Sequence, residues 1–297
     1  LILLSTHAVS AQNHAPCSFD QHLQKQLNQN PALFEKIEEL KTQADLIKVD
    51  RLTGIRSGGG PRVIPVVFHV IHEGEDGNIS FEQIEDQIRV LNEDYSRTNA
   101  DASETRDEFL PVASNFNIEF RLARLDPQGN CTDGVVRKFS PLTNNATDEV
   151  KAVSYWNSER YLNIWVVKDI ESDGQGTTLG YAQFPGFGSA TTDGLVIRSD
   201  FIGTIGTASS SGYKGRVASH EVGHWLGLFH TFQGECDGGF FGEGVDDTPP
   251  IAGPSSGCNH NANTCHNDNP DMPDMVENYM DYSTGSCQNA FTQGQKD

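Results

Sequence analysis

The amino-acid sequence predicts an α+β fold, with an upper part of strands and helices followed by an irregular lower part. Stretches rich in Val, Ile and Phe alternate with helical patterns up to about residue 227. The remainder, 228–297, is rich in glycine and contains most of the cysteines. These observations predict a twisted mixed sheet in the upper subdomain and loops joined by disulfides in the lower subdomain.

Local patterns locate the main elements of the upper part. The segment 63–71 is a buried strand by its Val, Ile and Phe content. Ser80 followed by Gln83 is a capping box that opens a helix. His69 and His72 are expected to be structural, because no other metal-ligand type lies at useful spacing. Further strands are expected at 116–125, 161–167, 180–184 and 194–197, with a weaker helix at 147–157.

The N-terminal region has the organisation of a secreted precursor. Residues 1–11 resemble the end of a secretion signal, with an apolar start and a small-residue cleavage site at 9–11. Residues 12–60 form a helical, Gln-rich segment and a Gly-rich linker with flanking arginines, which a protease can reach. We therefore expect a secreted chain with a propeptide, activated by cleavage near Ile55–Arg56, before a domain at 61–297.

The charge of the chain excludes one class of partner. The formal net charge is −20, from 41 acidic and 21 basic residues. Nucleic-acid binding requires a basic surface that displaces counterions, so we expect no nucleic-acid partner. After the signal remnant, no stretch is long and apolar enough to suggest a membrane span. The acidity is explained either by solubility or by carboxylates that bind hard cations such as calcium.

The chemistry is concentrated in a helical stretch at 216–226. His220 and His224 are separated by one helical turn, so both imidazoles can reach one metal ion. Glu221 projects beside them, where it can take a proton from water without binding the metal. Gly227 permits the positive φ that ends the helix, and His230 can then supply a third nitrogen. Three His ligands leave a fourth position open, which is typical of a catalytic zinc site.

The stretch 220–230 matches the long metzincin signature, and the chain resembles the pappalysin family, in particular its ulilysin- and mirolysin-like peptidases. The resemblance covers roughly residues 50–297 and also rests on the segments 64–70, 126–130, 234–236, 242–249, 277–282 and 291–295. It implies a metzincin fold and a zinc endopeptidase that acts on proteins or peptides. We expect this enzyme to be a monomer.

The resemblance assigns roles to residues near the C-terminus. Met280 is similar to the methionine that forms an apolar floor beneath the metal, although a lone Met is more often core filler. Tyr282 is similar to the tyrosine that stabilises the oxyanion of the reaction. In the implied mechanism, zinc activates water, Glu221 takes its proton, and Glu221 then passes this proton to the leaving amine.

A second metal site is implied by the same resemblance. Glu243, the carbonyl of Val245, Asp247 and Thr248 fall where the family binds calcium. Oxygen ligands on a Gly-rich loop are what calcium prefers. The alternative interpretation is a solvated acidic loop.

The six cysteines leave one question open. Four of them follow the zinc motif, and sequence alone allows three pairings. The resemblance implies Cys236–Cys265 and Cys258–Cys287. Cys17 is then either a thiolate that fills the open zinc position and keeps a zymogen silent, or the partner of Cys131 in a disulfide. We favour the zinc ligand slightly.

Substrate preference departs from the family pattern. Basic-specific relatives have an acidic residue shortly after the tyrosine, whereas Gly285 stands there in this chain. We therefore predict a broader or more apolar preference in that pocket. Two other functions predict different sequences. A non-catalytic zinc and calcium module would lack Glu221 or a third ligand. A zinc hydrolase of non-peptide substrates would not need a peptide-binding strand. The segment 194–197 is the strand we expect to pair with a peptide.

Overall fold

The computed structural model describes residues 17–52, 60–74, 77–172, 177–237 and 242–297, and the side chains of 44–52 are left out. The predicted signal remnant and the expected cleavage point in the linker lie outside these residues. The helices are α1 (Phe19–Gln29), α2 (Leu33–Leu52), α3 (Phe81–Ser96), α4 (Arg216–Trp225) and α5 (Gln293–Lys296). The strands are β1 (Arg62–His72), β2 (Ile118–Leu122), β3 (Val135–Phe139), β4 (Leu162–Val167), β5 (Gly180–Ala182) and β6 (Leu195–Arg198). The α+β class predicted from the sequence is confirmed.

One mixed sheet organises the upper part of the chain. Its strand order is β2-β1-β4-β6-β5, and β3 also pairs with β1. The first half of β1 pairs with β2 and the second half with β3, all in parallel. Among the strands of the described residues, β5 alone runs antiparallel, against β6. Because β6 lies between β4 and β5, the expectation that 194–197 pairs with a peptide is wrong, and β5 is the edge strand on that side.

Several local predictions need correction. The segment 147–157 contains a 3₁₀ helix, Asp148–Val153, and no α-helix. The Ser80 side chain accepts a hydrogen bond from the Gln83 backbone N–H as predicted, but the Gln83 amide turns away to the carbonyls of Ser199 and Ile202. The strand expected at 116–125 is limited to β2. The sequence analysis missed β3, because its second half is exposed and polar and shows no buried pattern.

The main core lies between the sheet and the helices α3 and α4. Alternate residues of β1 point into it, and they pack against apolar side chains of both helices; the core includes Val66, Phe68, Val70, Ile84, Leu91, Val217 and Val222. Each such side chain contributes about 1.5–3 kcal/mol when fully buried. This packing fixes α4 against the sheet and thereby places the zinc motif.

The opposite face of β1 carries His69, which is fully buried and stacks on Trp165. Its ring nitrogens lie 2.9 Å from Ser154 Oγ and 2.9 Å from Asn163 Oδ1. Burial lowers the pKa of His69 to about 4, despite the hydrogen bond to Asn163. The imidazole is therefore neutral and part of the core, as a structural histidine would be.

The leading helices pack on the rest of the chain. Apolar side chains of α1 and α2 form one cluster with a loop after β5 and a residue after α4: Cys17, Phe19, Leu23, Leu27, Ile37, Phe184, Phe187 and Phe229. In the lower part, disulfides join Cys236 to Cys265 and Cys258 to Cys287. The Arg106 guanidinium also anchors this region, through a 2.5 Å ion pair with the fully buried Glu277.

Candidate active site

The zinc motif lies on α4 and in the turn that follows it. His220 and His224 are one turn apart, and their Nε2 atoms are 3.1 Å from each other. Gly227 has a φ of +103°, which ends the helix and reverses the chain direction. This turn brings His230 back, with its Nε2 3.2 Å from that of His220 and 3.1 Å from that of His224.

The spacing of these nitrogens fits a zinc ion. Three imidazoles held about 2.0–2.1 Å from one tetrahedral ion have nitrogens about 3.3 Å apart. The Nδ1–H of His220 donates to the carbonyl of Tyr279 (2.6 Å), and that of His224 donates to the carbonyl of Leu228 (2.8 Å). These bonds leave the lone pair of each Nε2 directed at the shared centre. Burial, and to a smaller extent repulsion from the neighbouring His230, lowers the pKa of His220 to about 3. The imidazole is therefore neutral, as a metal ligand must be.

A fourth candidate ligand comes from the leading segment. The Sγ of Cys17 and one nitrogen from each of the three histidines all lie within 4.8 Å of one another, and all four residues are buried. Cys17 and Cys131 are both free, so the rival disulfide between them is not formed. Burial and the nearby Glu221 carboxylate raise the pKa of the Cys17 thiol. A bound cation would reverse this preference, because a coordinating thiol is deprotonated.

The Glu221 carboxyl is fully buried beside the histidines; neither of its oxygens has a close hydrogen-bond donor, and the weak donor Cys17 Sγ–H is the group that opposes the effect of burial. An unpaired buried carboxylate is costly unless a cation or a reacting group faces it. Burial accordingly raises the pKa of Glu221 to about 8. A Cβ on Gly180 would lie 3.1 Å from Glu221 Cγ, so a side chain on β5 at this point would require the carboxyl to shift by a few tenths of an ångström.

Met280 and Gly223 form the support beneath the motif. Met280 is fully buried, and a Cβ on Gly223 would lie 2.3 Å from its Sδ atom. The methionine therefore packs directly on the backbone of α4, and its role as the apolar floor beneath the metal stays a prediction. The backbone N–H of Leu228 donates to the carbonyl of Gly223 (2.9 Å) and closes the turn above it.

The leading segment covers the metal ligands. The ring of Phe19, on α1, stacks on the imidazole of His224 with centroids 3.8 Å apart and planes within 6°. An Asp20 carboxylate oxygen lies 3.1 Å from His230 Nδ1. Cys17 forms a parallel bridge with Gly180 on the edge strand β5. The sequence analysis missed Phe19, although the spacing of Phe19, Leu23 and Leu27 along one helical face could have revealed it.

Tyr282 stands on the other side of the ligand cluster. Its hydroxyl donates a hydrogen bond to the backbone carbonyl of Cys17 (2.8 Å). Its ring packs against the edge of His230, with centroids 4.7 Å apart. The phenol is therefore directed at a peptide carbonyl beside the three histidines, and its role as an oxyanion donor stays a prediction.

The four predicted calcium-binding residues lie together. The Thr248 hydroxyl is 2.6 Å from Glu243 Oε2 and 3.1 Å from the Val245 carbonyl. The Gly294 backbone N–H donates to one carboxylate oxygen of Asp247, and its other oxygen is buried without a partner. Burial raises the pKa of Glu243 to about 8.

A narrow cavity extends from the site past Cys17 and Glu221, lined also by Tyr213, Arg216 and Tyr282. Gly285 stands next to it, and a Cβ there would lie 2.4 Å from the Tyr213 carbonyl oxygen. The Arg216 guanidinium donates to the Gly285 carbonyl (2.8 Å). The backbone at this point therefore leaves no room for the acidic side chain of basic-specific relatives.

Comparison with known proteins decides the family. The model for the M43 peptidases, described as pregnancy-associated plasma protein-A, matches residues 144–297. The chain belongs to this peptidase family, the pappalysins. Extracellular metalloprotease 1 of Coccidioides posadasii is 35% identical over 246 residues, which cover 79% of this chain and 74% of that protein.

Solved structures of pappalysins agree with this assignment. Mature mirolysin of Tannerella forsythia, in complex with a cleaved peptide, is 41% identical, with a TM-score of 0.71 over 80% of this chain and 90% of that one. A promirolysin mutant from the same organism is 36% identical, with a TM-score of 0.78 over 94% of this chain and 91% of that one. The pappalysin resemblance and the metzincin fold are thereby confirmed.

This pappalysin is a secreted zinc metalloprotease. A second relative, from Colletotrichum graminicola, is also an extracellular metalloprotease and is 33% identical over 246 residues. Among the helices in the described part of the chain, none has the length and apolar character of a membrane span.

Proposed function

We propose that the chain is an endopeptidase, made as a latent zymogen, that cleaves internal peptide bonds of proteins. The observation that carries the proposal is the position of Cys17, whose thiol is in the ligand cluster and whose carbonyl accepts the Tyr282 hydrogen bond. The leading segment thus occupies the groups that a substrate would need. The similar structure of mature mirolysin with a cleaved peptide supports peptide-bond cleavage. The similar structure of promirolysin supports a latent precursor.

The chemistry assigned to each residue follows from its place. His220, His224 and His230 would hold the zinc ion, which would supply Lewis-acid activation at this point. Glu221 accepts a proton from the attacking water and delivers it to the leaving amine. General acid–base catalysis of this kind contributes about 10²–10⁴-fold to the rate.

Tyr282 and the edge strand β5 complete the site. After the leading segment is removed, the Tyr282 hydroxyl is free to donate to the oxygen of the scissile carbonyl, where negative charge develops. The backbone of β5 at Gly180, which pairs with Cys17 in the zymogen, becomes available to an extended peptide. An extended main chain bound there would bring its carbonyl between Tyr282 and Glu221.

We also propose that Glu243, the Val245 carbonyl, Asp247 and Thr248 bind calcium. The unpartnered buried oxygen of Asp247 supports a cation at this point, because buried carboxylate oxygens normally have partners, and the half-buried Glu243 carboxyl offers further oxygen ligands beside it. The site would hold the loop 243–248 on α5 through Gly294.

The experiment that tests the activity is sequencing of peptides released from a denatured protein mixture by the mature enzyme. A Glu221→Ala variant with the same zinc content is the matched control. New termini inside the substrate chains that depend on Glu221 support an endopeptidase. If neither protein cleaves after linker removal with zinc and calcium supplied, the scaffold is a non-catalytic binding module and the proposal fails.

A further inference from the structure

The carboxylate of Asp94, on α3, lies directly behind the zinc motif and contacts no ligand itself. Its side chain is 3% exposed. One of its oxygens accepts a hydrogen bond from the hydroxyl of Tyr279 (2.7 Å), and the other accepts from the hydroxyl of Ser219 (2.6 Å). Both oxygens of one buried carboxylate are therefore used to join two separate segments of the chain.

Each of these two segments contributes one partner to a single hydrogen bond, the one between His220 and Tyr279. Ser219 precedes His220 on α4, and the carbonyl of Tyr279 accepts from His220 Nδ1 at 2.6 Å. Asp94 thus restrains the helix that carries the imidazole and also the residue whose carbonyl orients it. The neighbouring residue adds to this restraint, because the Tyr95 hydroxyl donates to the Ser219 carbonyl (3.0 Å).

Three groups face the Asp94 carboxyl: the hydroxyls of Tyr279 and Ser219 and the guanidinium of Arg216. Burial raises the pKa of Asp94, and the Arg216 guanidinium and the two hydroxyl donors oppose this effect. Arg216 Nε lies 3.5 Å from the carboxylate, and Arg216 is itself paired with Asp101. The guanidinium and the two hydroxyls are therefore the groups that stabilise the carboxyl of Asp94 in this buried position.

We propose that Asp94 is a positioning residue for zinc: it sets the orientation of the His220 imidazole through Tyr279 and Ser219. Partners outside the ligand set fix the tautomer and direction of a metal-binding imidazole, and their loss typically lowers metal affinity about 10- to 100-fold. Asp94 does not contact the imidazole itself. It holds Ser219 and Tyr279, which lie on either side of the hydrogen bond between His220 and the Tyr279 carbonyl. The proposal concerns zinc affinity, and its test does not depend on the endopeptidase activity proposed above.

The test is the zinc dissociation constant of the full chain, measured by competition with a chelator. We expect Asp94→Asn to raise this constant about 10-fold or more. Tyr279→Phe removes only the hydroxyl on one side and should give a smaller increase of the same sign. Because the two changes break one connection, the double variant should bind zinc about as weakly as Asp94→Asn alone.

The matched control is Asp86→Asn on the same helix. Asp86 accepts hydrogen bonds from the backbone N–H and the hydroxyl of Thr204 and from Arg89, none of which is a metal ligand or bonds to Ser219 or Tyr279. It should lower the unfolding temperature of the metal-free chain without changing the zinc dissociation constant. If Asp94→Asn fails to fold, Tyr279→Phe and Ser219→Ala still test the proposal. Unchanged zinc affinity in the folded single variants would overturn it.

Discussion

The hydroxyl of Tyr282 donates a hydrogen bond to the backbone carbonyl of Cys17, across 265 positions of the sequence. The same short segment places the Cys17 thiol among the three histidines and the Phe19 ring on His224. One residue thus blocks the fourth ligand position and the oxyanion donor together. This double block is the structural basis for the latency that we propose.

Replacing Cys17 by serine should release activity in the uncleaved chain. A neutral hydroxyl is a weaker zinc ligand than a thiolate, so water can enter the fourth position. We expect the uncleaved variant to hydrolyse a fluorogenic peptide at least about tenfold faster than the uncleaved wild type, which corresponds to about 1.4 kcal/mol. Cys131→Ser is the control, since that thiol is exposed and outside the site. If both uncleaved variants are as inactive as the uncleaved wild type, the latency has another cause.

Removing the hydroxyl of Tyr282 should impair the mature enzyme in the chemical step. Loss of one oxyanion donor typically lowers kcat about 10²–10³-fold. Because Tyr282→Phe keeps the ring that packs on His230, KM should change little. The measurement is the steady-state kinetics of this variant. Tyr155→Phe, at an exposed position, is the control. A rise in KM with unchanged kcat would instead assign Tyr282 to substrate binding.

The cleavage profile should not be dominated by arginine or lysine after the scissile bond. Gly285 offers no carboxylate, and the cavity beside it already contains the Arg216 guanidinium. We expect uncharged residues at this position when the cut sites in a denatured protein mixture are sequenced. Gly285→Asp should not create a basic preference, because its Cβ would collide with the Tyr213 carbonyl. A profile rich in arginine would contradict this prediction.

Calcium removal should destabilise the lower part of the chain. A ligand present at about 100 times its dissociation constant stabilises the folded state by about 2.7 kcal/mol. We expect a calcium chelator to lower the unfolding temperature of the wild type, and Asp247→Asn to abolish most of that difference. Asp107→Asn, which changes an exposed carboxylate, serves as the control. A chelator effect that persists in Asp247→Asn would place the cation elsewhere.

The buried His69 should make stability fall at acidic pH. Its folded-state pKa is about 4, whereas an exposed histidine has a pKa of about 6.5. Between these values the unfolded chain binds a proton that the folded chain does not, so the contribution is complete above about pH 6.5 and is lost as pH falls towards 4. The loss is on the order of 3 kcal/mol at most.

The measurement for His69 is the free energy of unfolding of the wild type and of His69→Gln, taken from about pH 7 to 4. Glutamine can replace one of the two hydrogen bonds and cannot gain this proton. The wild type should therefore lose more stability than the variant over this pH range. Parallel pH profiles would show that His69 is not responsible for the acid sensitivity.

Much of this protein follows from local sequence. The spacing of His220 and His224 places both on one face of any helix, and Gly227 provides the positive φ that returns the chain towards His230. Such features depend on residues within about two helical turns of each other. They can therefore be predicted without knowledge of the fold. The apolar content of β1 and β4 likewise predicted the central strands, whereas the half-polar β3 was missed.

The remaining features were decided by tertiary structure, because each joins residues far apart in the chain. No pattern in the sequence indicates that Asp94 bridges Ser219 and Tyr279, or that β5 is the edge strand against which Cys17 pairs. The choice between two fates of Cys17 was also open until the packing of α1 placed its thiol beside the histidines. Local sequence thus determined which residues can bind the metal. Long-range packing decided what orients them and what covers them, because the free energy of those contacts comes from burial between distant segments.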